Sequence, residues 1–553
     1  MLGSALAGKA DPCQSHGMAD YDYIIVGAGS AGCVLANRLS EDGARVLLLE
    51  AGGRDWHPYI HMPLAMRRLA PNPRLNWDFA TEPEPYCNNR RIFVPRGKVL
   101  GGTSSINAML YARGHPLDYE QWRQAGLRGW GYDDVLPYFK RSESNWRGES
   151  RYHGGAGPLK VSPGPRRSQL HALFTAAAQE AGFALSDDYN GAAPEGVAPP
   201  DFTIGRGRRN STARAFLRPA LRRRNLRVET RALAHRIMVE RGRATGVAYE
   251  RQGAMHMAHA AREIVLSGGT YNSPQLLLLS GIGPADELRA LEITPVLDRQ
   301  DVGRNLQEHA NAVITFEINA PLSIVDELRW DRLTLSTLRW AAFGTGVVSA
   351  MPTQCVCFIK TRGESERPDI ELLLSPVLPE AGPWFPGVKA AAPHCFSSRV
   401  ALLHPRSRGR VFLGSADPRD PPRILWNLFA DPLDLETLRG GVKTVRAIFG
   451  NEPLKRLVAR ELSPGPGAMS DGALDDWLRD NSQTAAHPAG TCRMGADDDA
   501  VVDEELRVRG IEGLRVADCS VMPWVVGANT NAPTIMIAEK AADYIRGANR
   551  RAA

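Results

Sequence analysis

Residues 23–32, which read YIIVGAGSAG, constrain the fold of this chain more than any other stretch. An apolar run ends at Gly27, and a turn of small residues leads into a helical pattern. The glycines follow G-x-G-x-x-G spacing, in which Gly27 permits the tight turn, Gly29 lets the backbone approach a pyrophosphate and Gly32 allows the helix to pack closely on the strand. We therefore predict a strand, a phosphate-binding turn and a helix whose N-terminal dipole faces the negative charge.

The residues that follow supply the context that this motif requires. Residues 45–49, RVLLL, have the composition of a buried parallel strand and lead to Glu50, 18 residues after Gly32. A carboxylate at this place accepts hydrogen bonds from a ribose and repels a 2′-phosphate, so we expect NAD or FAD rather than NADP. The alternative is a glycine-rich turn that binds no ligand, which the combined pattern disfavours.

Length and charge limit the classes of protein to consider. A chain of 553 residues exceeds a single hydrophobic core, so we expect two domains, which need not be continuous in sequence. The formal net charge is only +6. The arginine-rich residues 206–224 contain one aromatic residue, Phe216, that could stack on a base, so a solvated face is favoured over nucleic-acid binding.

The cysteines and the N-terminus indicate the location of the protein. The eight cysteines are scattered without C-x-x-C pairs, which favours a reducing compartment. No apolar run reaches the roughly 20 residues of a membrane span, and the N-terminus lacks the apolar core of a signal peptide. We therefore predict a cytoplasmic protein without a membrane span. Residues 1–19, which are small and polar as far as Met18, are predicted to form a disordered leader.

A second dense block lies at residues 95–114, PRGKVLGGTSSINAMLYARG. Its glycines free the backbone to run close against a flat group, and its short polar side chains offer hydrogen bonds to that group. The block resembles the first signature of the glucose-methanol-choline (GMC) family of FAD-dependent oxidoreductases. Residues 269–284, GTYNSPQLLLLSGIGP, and the blocks at residues 487–495, 514–518 and 527–540 extend the resemblance from about residue 20 to about residue 547.

The resemblance implies an α/β FAD-binding domain with a Rossmann-like sheet, interleaved with an α+β substrate domain built on an antiparallel sheet. Short strand patterns recur between residues 311 and 423, as such a sheet requires. Asp431 and Pro432 predict the start of a helix with an apolar stripe. The implied FAD-binding segments are residues 20–160, 206–310 and 481–553, and the substrate segments are residues 161–205 and 311–480.

The resemblance also implies which residues hold FAD. The positions that match the family's motifs are Gly27, Gly29, Ser30, Ala31, Gly32, Glu50, Ala51, Trp77, Gly97, Gly101, Gly102, Thr103, Ser104, Asn107, Ala108, Met109, Ala232, Gly268, Asp518, Cys519, Thr530 and Asn531. Some choline oxidases of the family bind the flavin covalently through a histidine, and Ile106 stands at that place here. We therefore expect noncovalent FAD.

Oxidation of an alcohol removes a hydroxyl proton and a carbon-bound hydride, so the site needs a base beside an electron acceptor. The resemblance places the family's catalytic pair at His487, in the block HPAGTCRMG, and at Asn529, where other members carry a second histidine. Imidazole has a pKa near 6.5 and is available as a base near neutral pH. We predict that His487 is the base, that Asn529 holds the substrate oxygen and that flavin N5 accepts the hydride. The other histidines, including His309, receive no role, and no Cys/His cluster indicates a metal.

The resemblance makes Gln354 and Phe358 candidate substrate-binding residues. Choline-specific members carry a glutamate four residues before a phenylalanine, and here Gln354 precedes Phe358 at that spacing. Without the carboxylate, a buried quaternary ammonium group lacks a counter-ion, which disfavours choline, although aromatic cages also hold such groups.

We predict an FAD-dependent enzyme that oxidises an aromatic or aliphatic primary alcohol to the aldehyde. The alternatives are a choline dehydrogenase, a flavin-retaining lyase or photodecarboxylase on the same scaffold, and a NAD-binding protein, which has no need of the later signature blocks. The sequence leaves open whether oxygen, a quinone or another carrier accepts the electrons. It also leaves the oligomeric state open.

Overall fold

The computed structural model describes residues 20–164 and 168–552, so the predicted leader lies outside the described residues. The strands in chain order are β1 (Tyr21–Val26), β2 (Val46–Glu50), β3 (Phe79–Ala80), β4 (Phe93–Val94), β5 (Glu143–Asn145), β6 (Leu159–Pro163), β7 (Gly196–Ala198), β8 (Asp201–Phe202), β9 (Ile204–Gly205), β10 (Arg208–Arg209), β11 (Leu226–Thr230), β12 (Ala232–Glu240), β13 (Arg243–Arg251), β14 (Ala254–Leu266), β15 (Ile282–Gly283), β16 (Leu297–Asp298), β17 (Ala310–Ile318), β18 (Cys355–Ile359), β19 (Ile370–Ser375), β20 (Cys395–Leu402), β21 (Arg410–Phe412), β22 (Arg423–Leu425), β23 (Val458–Ser463), β24 (Gln483–Thr484) and β25 (Leu514–Val516).

The α-helices are α1 (Ser30–Leu39), α2 (Pro58–His61), α3 (Pro116–Gln124), α4 (Tyr132–Ser142), α5 (Gln169–Glu180), α6 (Arg218–Ala220), α7 (Gly269–Leu279), α8 (Ala285–Ala290), α9 (Trp330–Phe343), α10 (Pro432–Phe449), α11 (Asp471–Asn481) and α12 (Asn531–Ala552). Residues 51–91 contain only short helices and a two-residue strand between loops, as their proline- and asparagine-rich sequence predicts.

The first sheet is built around the predicted dinucleotide unit. Strands β11, β2, β1, β14 and β25 run parallel in that spatial order. The long β14 continues into an antiparallel pairing with β13, which pairs in turn with β12. Strand β2 is buried along its whole length, as expected of a parallel strand covered on both faces. The α/β domain predicted from the sequence is confirmed.

Close backbone contacts hold helix α1 against β1. Gly27 has a φ of 99°, a left-handed conformation that favours glycine. A Cβ atom on Gly32 would lie 1.8 Å from the carbonyl oxygen of Gly27. The third glycine of the motif is therefore needed for the packing of the helix on the turn.

The second sheet is antiparallel, with the order β23, β17, β20, β19, β18 and β7, and β24 also pairs with β17. Helix α10 packs on it and begins as predicted, because the Asp431 carboxylate accepts a hydrogen bond from the Leu433 N–H at 2.9 Å. Its predicted apolar stripe is buried, and consists of Leu435, Leu438, Val442, Val445 and Ile448. The sheet-rich second domain is thus confirmed.

The division of the chain into segments stays a prediction in its details. Strand β24 pairs with the second sheet, although residues 483–484 fall in a segment assigned from the sequence to the FAD-binding part. None of the helices within residues 20–164 and 168–552 combines the length and apolar character needed to cross a membrane. The cytoplasmic location stays a prediction.

We expect Gly32→Ala to lower the free energy of unfolding by about 1–3 kcal/mol, since the added methyl group must displace the Gly27 carbonyl. Thermal unfolding of the two proteins measures the difference. The matched control is Gly472→Ala in α11, where no atom lies within 4 Å of the new Cβ atom. That change should be neutral or stabilising by up to about 1 kcal/mol, because alanine favours helix. Equal stability of both variants would contradict the packing role of Gly32.

Candidate active site

One continuous cavity of about 960 Å³ is lined by residues of both sheets. At one end it meets Val26 and Leu49, near the carboxyl ends of the parallel strands β1 and β2, where α/β sheets bind their ligands. At the other end it meets Leu373 of β19 and Arg399 of β20. The volume lies at the upper end of the range of about 300–1,000 Å³ typical of ligand pockets.

The cavity brings together most of the residues that the sequence predicted to bind the cofactor. Three of the predicted positions do not contribute to its lining in the described part of the chain, namely Gly32, Gly101 and Ser104. Gly32 packs against the turn, and the Ser104 hydroxyl donates to the Gly101 carbonyl at 2.6 Å. These three positions shape the backbone behind the cavity wall.

Glycines open the dinucleotide end of the cavity. A Cβ atom on Gly29 would meet one protein atom within 4 Å, the Ser267 carbonyl oxygen at 3.9 Å, so it would project into open space. A Cβ atom on Gly102 would lie 2.7 Å from the Cα atom of Gly29. The segment at residues 95–114 therefore lies directly against the dinucleotide turn and leaves a cradle that fits a pyrophosphate.

Glu50 lies buried at the same end of the cavity. Its carboxylate accepts hydrogen bonds from the N–H groups of Ala28 at 2.8 Å and of Gly52 at 2.7 Å. Burial raises the pKa of Glu50 to about 7, against the opposing effect of these donors. Each carboxylate oxygen keeps acceptor capacity, so the two hydroxyls of a ribose fit as further donors.

Helix α12 brings a second helix N-terminus to the cavity. The Ser30 hydroxyl at the start of α1 donates to the Asn531 side chain at the start of α12, at 2.8 Å. Asp518 also lines the cavity, but its carboxylate is held by the N–H groups of Gly269 and Ser520 and by a serine hydroxyl. The helix dipoles favour an anionic group here, and Asp518 orders the surrounding loops.

The predicted catalytic pair is assembled in the cavity. His487 and Asn529 both line it, and the Asn529 Nδ2 atom lies 3.0 Å from His487 Nε2. His487 follows β24, whereas Asn529 lies in the loop before α12. The Asn529 Oδ1 atom is buried and has no partner among the described residues, so it is open to a ligand.

His309 is a partner of His487 that sequence reasoning missed. The two Nδ1 atoms lie 3.1 Å apart, and the rings meet edge to face. Glu308 supports the same place, since its carboxylate accepts a hydrogen bond from the His487 backbone N–H at 2.8 Å. The pairing of Gln307 with Ala489 and of Ala310 with Thr484 brings these segments together.

These contacts determine which nitrogen atom of His487 carries the proton. With the Asn529 amide donating to Nε2, a neutral His487 carries its proton on Nδ1 and donates it to His309 Nδ1. Burial lowers the pKa of His487 well below 6.5, and the charges of Arg96 and Arg399 act in the same direction. Burial also lowers the pKa of His309 to about 3. Both imidazoles are therefore neutral near pH 7, and the lone pair of His487 Nε2 faces the cavity.

Gln354 and Phe358 lie elsewhere, since neither contributes to the cavity lining within the described residues. The Gln354 side chain bonds to the Ser168 hydroxyl at the start of α5 and donates to the Pro352 carbonyl at 2.7 Å. Phe358 packs against Tyr189, with ring centroids 5.5 Å apart. The neighbouring Thr353 lines the cavity instead. Their role in substrate binding stays a prediction.

The end of the cavity that meets β19 and β20 is called the substrate end below. Its charged residues were also missed by the sequence analysis. Glu371 and Arg399 lie on β19 and β20 and line the cavity, as does Arg67. A signal was present in the sequence, because Glu371 interrupts the otherwise apolar run of the predicted strand IELLL. A charge inside a strand that is predicted to be buried indicates either an ion pair or a site.

The chain matches known proteins over most of its length. The GMC oxidoreductase family is matched by an N-terminal model over residues 21–311 and by a C-terminal model over residues 405–538. An oxygen-dependent choline dehydrogenase of Sinorhizobium fredii is 44% identical over 529 residues, which cover 95% of each chain. Another of Burkholderia pseudomallei is 45% identical over 533 residues, 95% of this chain and 94% of the relative.

Solved structures of oxidases also match the chain over most of its length. A pyridoxine 4-oxidase from Mesorbium loti superimposes with a TM-score of 0.85 at 31% identity, covering 95% of this chain and 99% of the other. A formate oxidase of Aspergillus oryzae RIB40, studied for the modification of its FAD, has a TM-score of 0.89 at 28% identity, with coverage of 97% and 100%.

We expect Gly29→Ala to keep the fold but to weaken cofactor binding. Gly29 has a φ of −77°, which alanine adopts without strain, and the new methyl group would enter only the cradle. A methyl group forced into a tight contact costs about 1–3 kcal/mol, or roughly 5- to 150-fold in affinity. Titration of the apoprotein with FAD, followed by fluorescence, measures this. Unchanged affinity would contradict the placement of the pyrophosphate at Gly29.

Proposed function

The chain belongs to the GMC oxidoreductase family of FAD-dependent enzymes that act on CH–OH groups, and we propose that it oxidises a primary alcohol to the aldehyde with His487 as the base. The observation that carries the proposal is the neutral His487–Asn529 pair, with its nitrogen atoms 3.0 Å apart, inside a cavity that also holds the dinucleotide turn. This arrangement has a base, an oxygen-binding group and a cofactor cradle in one place.

The cavity residues described above fit FAD. Gly29 and the start of α12 would hold the pyrophosphate, Glu50 the ribose, and the segment at residues 97–109 the flavin side. When bound, FAD supplies the redox chemistry by accepting the hydride that leaves the alcohol carbon. Ile106 lines the cavity and offers no nucleophile, so we propose noncovalent binding. Acid precipitation should then leave intact FAD in solution, and flavin retained by the precipitate would contradict this.

His487 performs the proton step. Its Nε2 atom takes the proton of the substrate hydroxyl, which leaves the ring protonated on both nitrogens. The Nδ1–H bond to His309 keeps the ring orientation during this change, because His309 presents a lone pair that also accepts from the charged ring. The Glu308 carboxylate holds the His487 backbone in place.

Asn529 positions the alcohol oxygen. In the absence of substrate its amide donates to His487 Nε2, so an entering hydroxyl replaces that bond and takes both groups as partners. The substrate hydroxyl donates to His487, and the Asn529 amide donates to the substrate oxygen. The carbon that bears the hydroxyl is thereby fixed while the proton leaves.

Choline oxidation is the second candidate, and the similarity to oxygen-dependent choline dehydrogenases at 44–45% identity supports it. Gln354, however, stands where choline-specific members carry a glutamate, and the cavity end is lined by Arg67 and Arg399. A quaternary ammonium group would meet these two positive charges there and one carboxyl group, that of Glu371. Comparison of kcat/KM for choline and for benzyl alcohol decides between the two candidates.

We propose oxygen as the electron acceptor, because the relatives at 44–45% identity are oxygen-dependent choline dehydrogenases. Admission of air to the enzyme after anaerobic reaction with alcohol should yield hydrogen peroxide. A flavin that stays reduced in air and reoxidises with a quinone would indicate a dehydrogenase that uses another carrier.

We expect His487→Ala to lower turnover by about 10³- to 10⁴-fold while FAD stays bound, because general base catalysis is worth about 10²- to 10⁴-fold and the ring also orients the alcohol. Asn529→Ala should cost about threefold to tenfold, the value of one neutral hydrogen bond. The measurement is the anaerobic rate of flavin bleaching at saturating alcohol. His256→Ala, at an exposed position of β14, is the control. A near wild-type rate in His487→Ala would exclude His487 as the base.

The dependence of kcat/KM on pH follows from the depressed pKa of His487. A base works in its deprotonated form, which is populated above its pKa and lost as the pH falls through it. Since burial and the nearby arginines lower this pKa well below 6.5, the acid limb should lie below pH 6.5. Initial rates from about pH 5 to about pH 8, with the flavin absorbance checked at each pH, test this. A half-maximal point at or above 6.5 would contradict it.

A further inference from the structure

The antiparallel floor of the cavity carries charges at its substrate end. In the register of β19 and β20, Leu373 pairs with Arg399 and Glu371 with Ala401, so Glu371 and Arg399 are diagonal neighbours on one face. That face lines the cavity, whereas the alternate residues Leu372 and Val400 belong to the core behind the sheet. Both side chains therefore lie on the cavity side of the sheet.

The guanidinium groups of Arg67 and Arg399 lack partners. Neither donates a hydrogen bond or forms an ion pair with any described residue. Arg399 is only partly exposed, whereas Arg67 is exposed at the rim. The other arginines of the cavity wall differ in this respect. Arg90 donates to the carbonyls of residues 479 and 482, Arg91 to that of residue 81, and Arg96 to those of residues 95 and 486.

Glu371 does not neutralise this pair. Its Oε1 atom is buried without a hydrogen-bond partner in the described chain, and no ion pair links it to Arg399. Burial raises the pKa of Glu371 to about 7, and the charge of Arg399 acts against this shift. Glu380, an exposed residue outside the cavity lining, also acts on the charge of Arg67. Among the residues that line this end of the cavity, two positive charges thus face at most one negative charge.

Arg399 lines the same cavity as His487, the proposed base. Burial lowers the pKa of His487 and that of Arg399. The charge of Arg399 adds to the first shift, and the charge of Arg67 adds to the second. Arg399 is therefore within electrostatic reach of both the base and Arg67. A substrate whose hydroxyl lies at His487 would occupy the same cavity as the guanidinium groups of Arg399 and Arg67.

We propose that the alcohol substrate carries a carboxylate, which Arg399 and Arg67 bind while the hydroxyl lies at His487. The proposal rests on the proposed oxidation of an alcohol and names its substrate class. A guanidinium binds a carboxylate through two parallel hydrogen bonds, and one carboxylate balances the surplus charge of the site. A phosphate dianion is disfavoured because Glu371 lies beside the same guanidinium.

Binding without turnover is the first test. Calorimetric titration of the wild-type holoenzyme with 4-methylbenzoate and with 4-methylbenzamide compares a carboxylate with a neutral group of the same shape, and neither molecule has a hydroxyl to oxidise. We expect the carboxylate to bind at least about tenfold tighter, as for a hydrogen bond to a charged group. Equal affinity, or tighter binding of the amide, would overturn the proposal.

Variants locate the carboxylate. Arg399→Gln and Arg67→Gln should each weaken 4-methylbenzoate about 10- to 100-fold and leave 4-methylbenzamide unchanged, and Arg399→Lys should restore part of the affinity. Arg68→Gln, the adjacent exposed arginine outside the cavity lining, is the matched control and should change neither affinity. Loss of FAD from Arg399→Gln with unchanged benzoate binding would show that the guanidinium serves the cofactor, and would overturn the proposal.

Turnover separates this proposal from the proposed function. Wild-type enzyme should oxidise 4-(hydroxymethyl)benzoate with a kcat/KM at least about tenfold above that of benzyl alcohol and of choline. Preference for benzyl alcohol or choline would overturn the carboxylate proposal and leave alcohol oxidation in place. No oxidation of any of the three, with tight benzoate binding retained, would contradict the proposed function and keep the anion site.

Discussion

The whole site depends on backbone approaching backbone where no side chain intervenes. Gly32 lets α1 lie on the Gly27 carbonyl, and Gly102 lets the segment at residues 95–114 lie on Gly29. The first contact aims the N-terminus of α1 at the cavity, and the second closes one wall of it. A single methyl group at either place would separate elements that must touch for a dinucleotide to be held at the carboxyl edge of the sheet.

Burial keeps the imidazole of the proposed base and that of its partner uncharged near neutral pH. His487 and His309 face each other in the protein interior, where a charged ring loses its hydration, so both stay neutral. Their mutual hydrogen bond fixes which nitrogen of His487 carries the proton. Because β24 pairs with the first residues of β17, the second sheet positions the proposed base. The first sheet and α12 position the cradle proposed for the cofactor and Asn529.

The structural features that could be predicted from the sequence are those that depend on local residue patterns. The glycine spacing, the strand RVLLL and the Asp431 cap each depend on near neighbours in sequence, and the structure has all three elements. The His309–His487 contact could not be predicted, since it joins residues 178 apart through strand pairing. The sequence spacing of Gln354 and Phe358 gave no information on side-chain direction, and their side chains contact α5 and Tyr189.

Relatives at 44% identity could share a reaction and differ in substrate, because different residues determine the two properties. The proposed proton step needs only a neutral imidazole and an amide beside the cofactor, and these lie on loops fixed by the fold. Substrate choice depends on the few side chains on the cavity side of the floor strands, which alternate with core residues along each strand. A change of residue at such a position leaves the sheet unaffected. Glu371 and Arg399 occupy such positions, and the core behind them is complete without their charges. The Arg399 guanidinium has no partner among the described residues, so its place on the cavity floor bears on the ligand rather than on the fold.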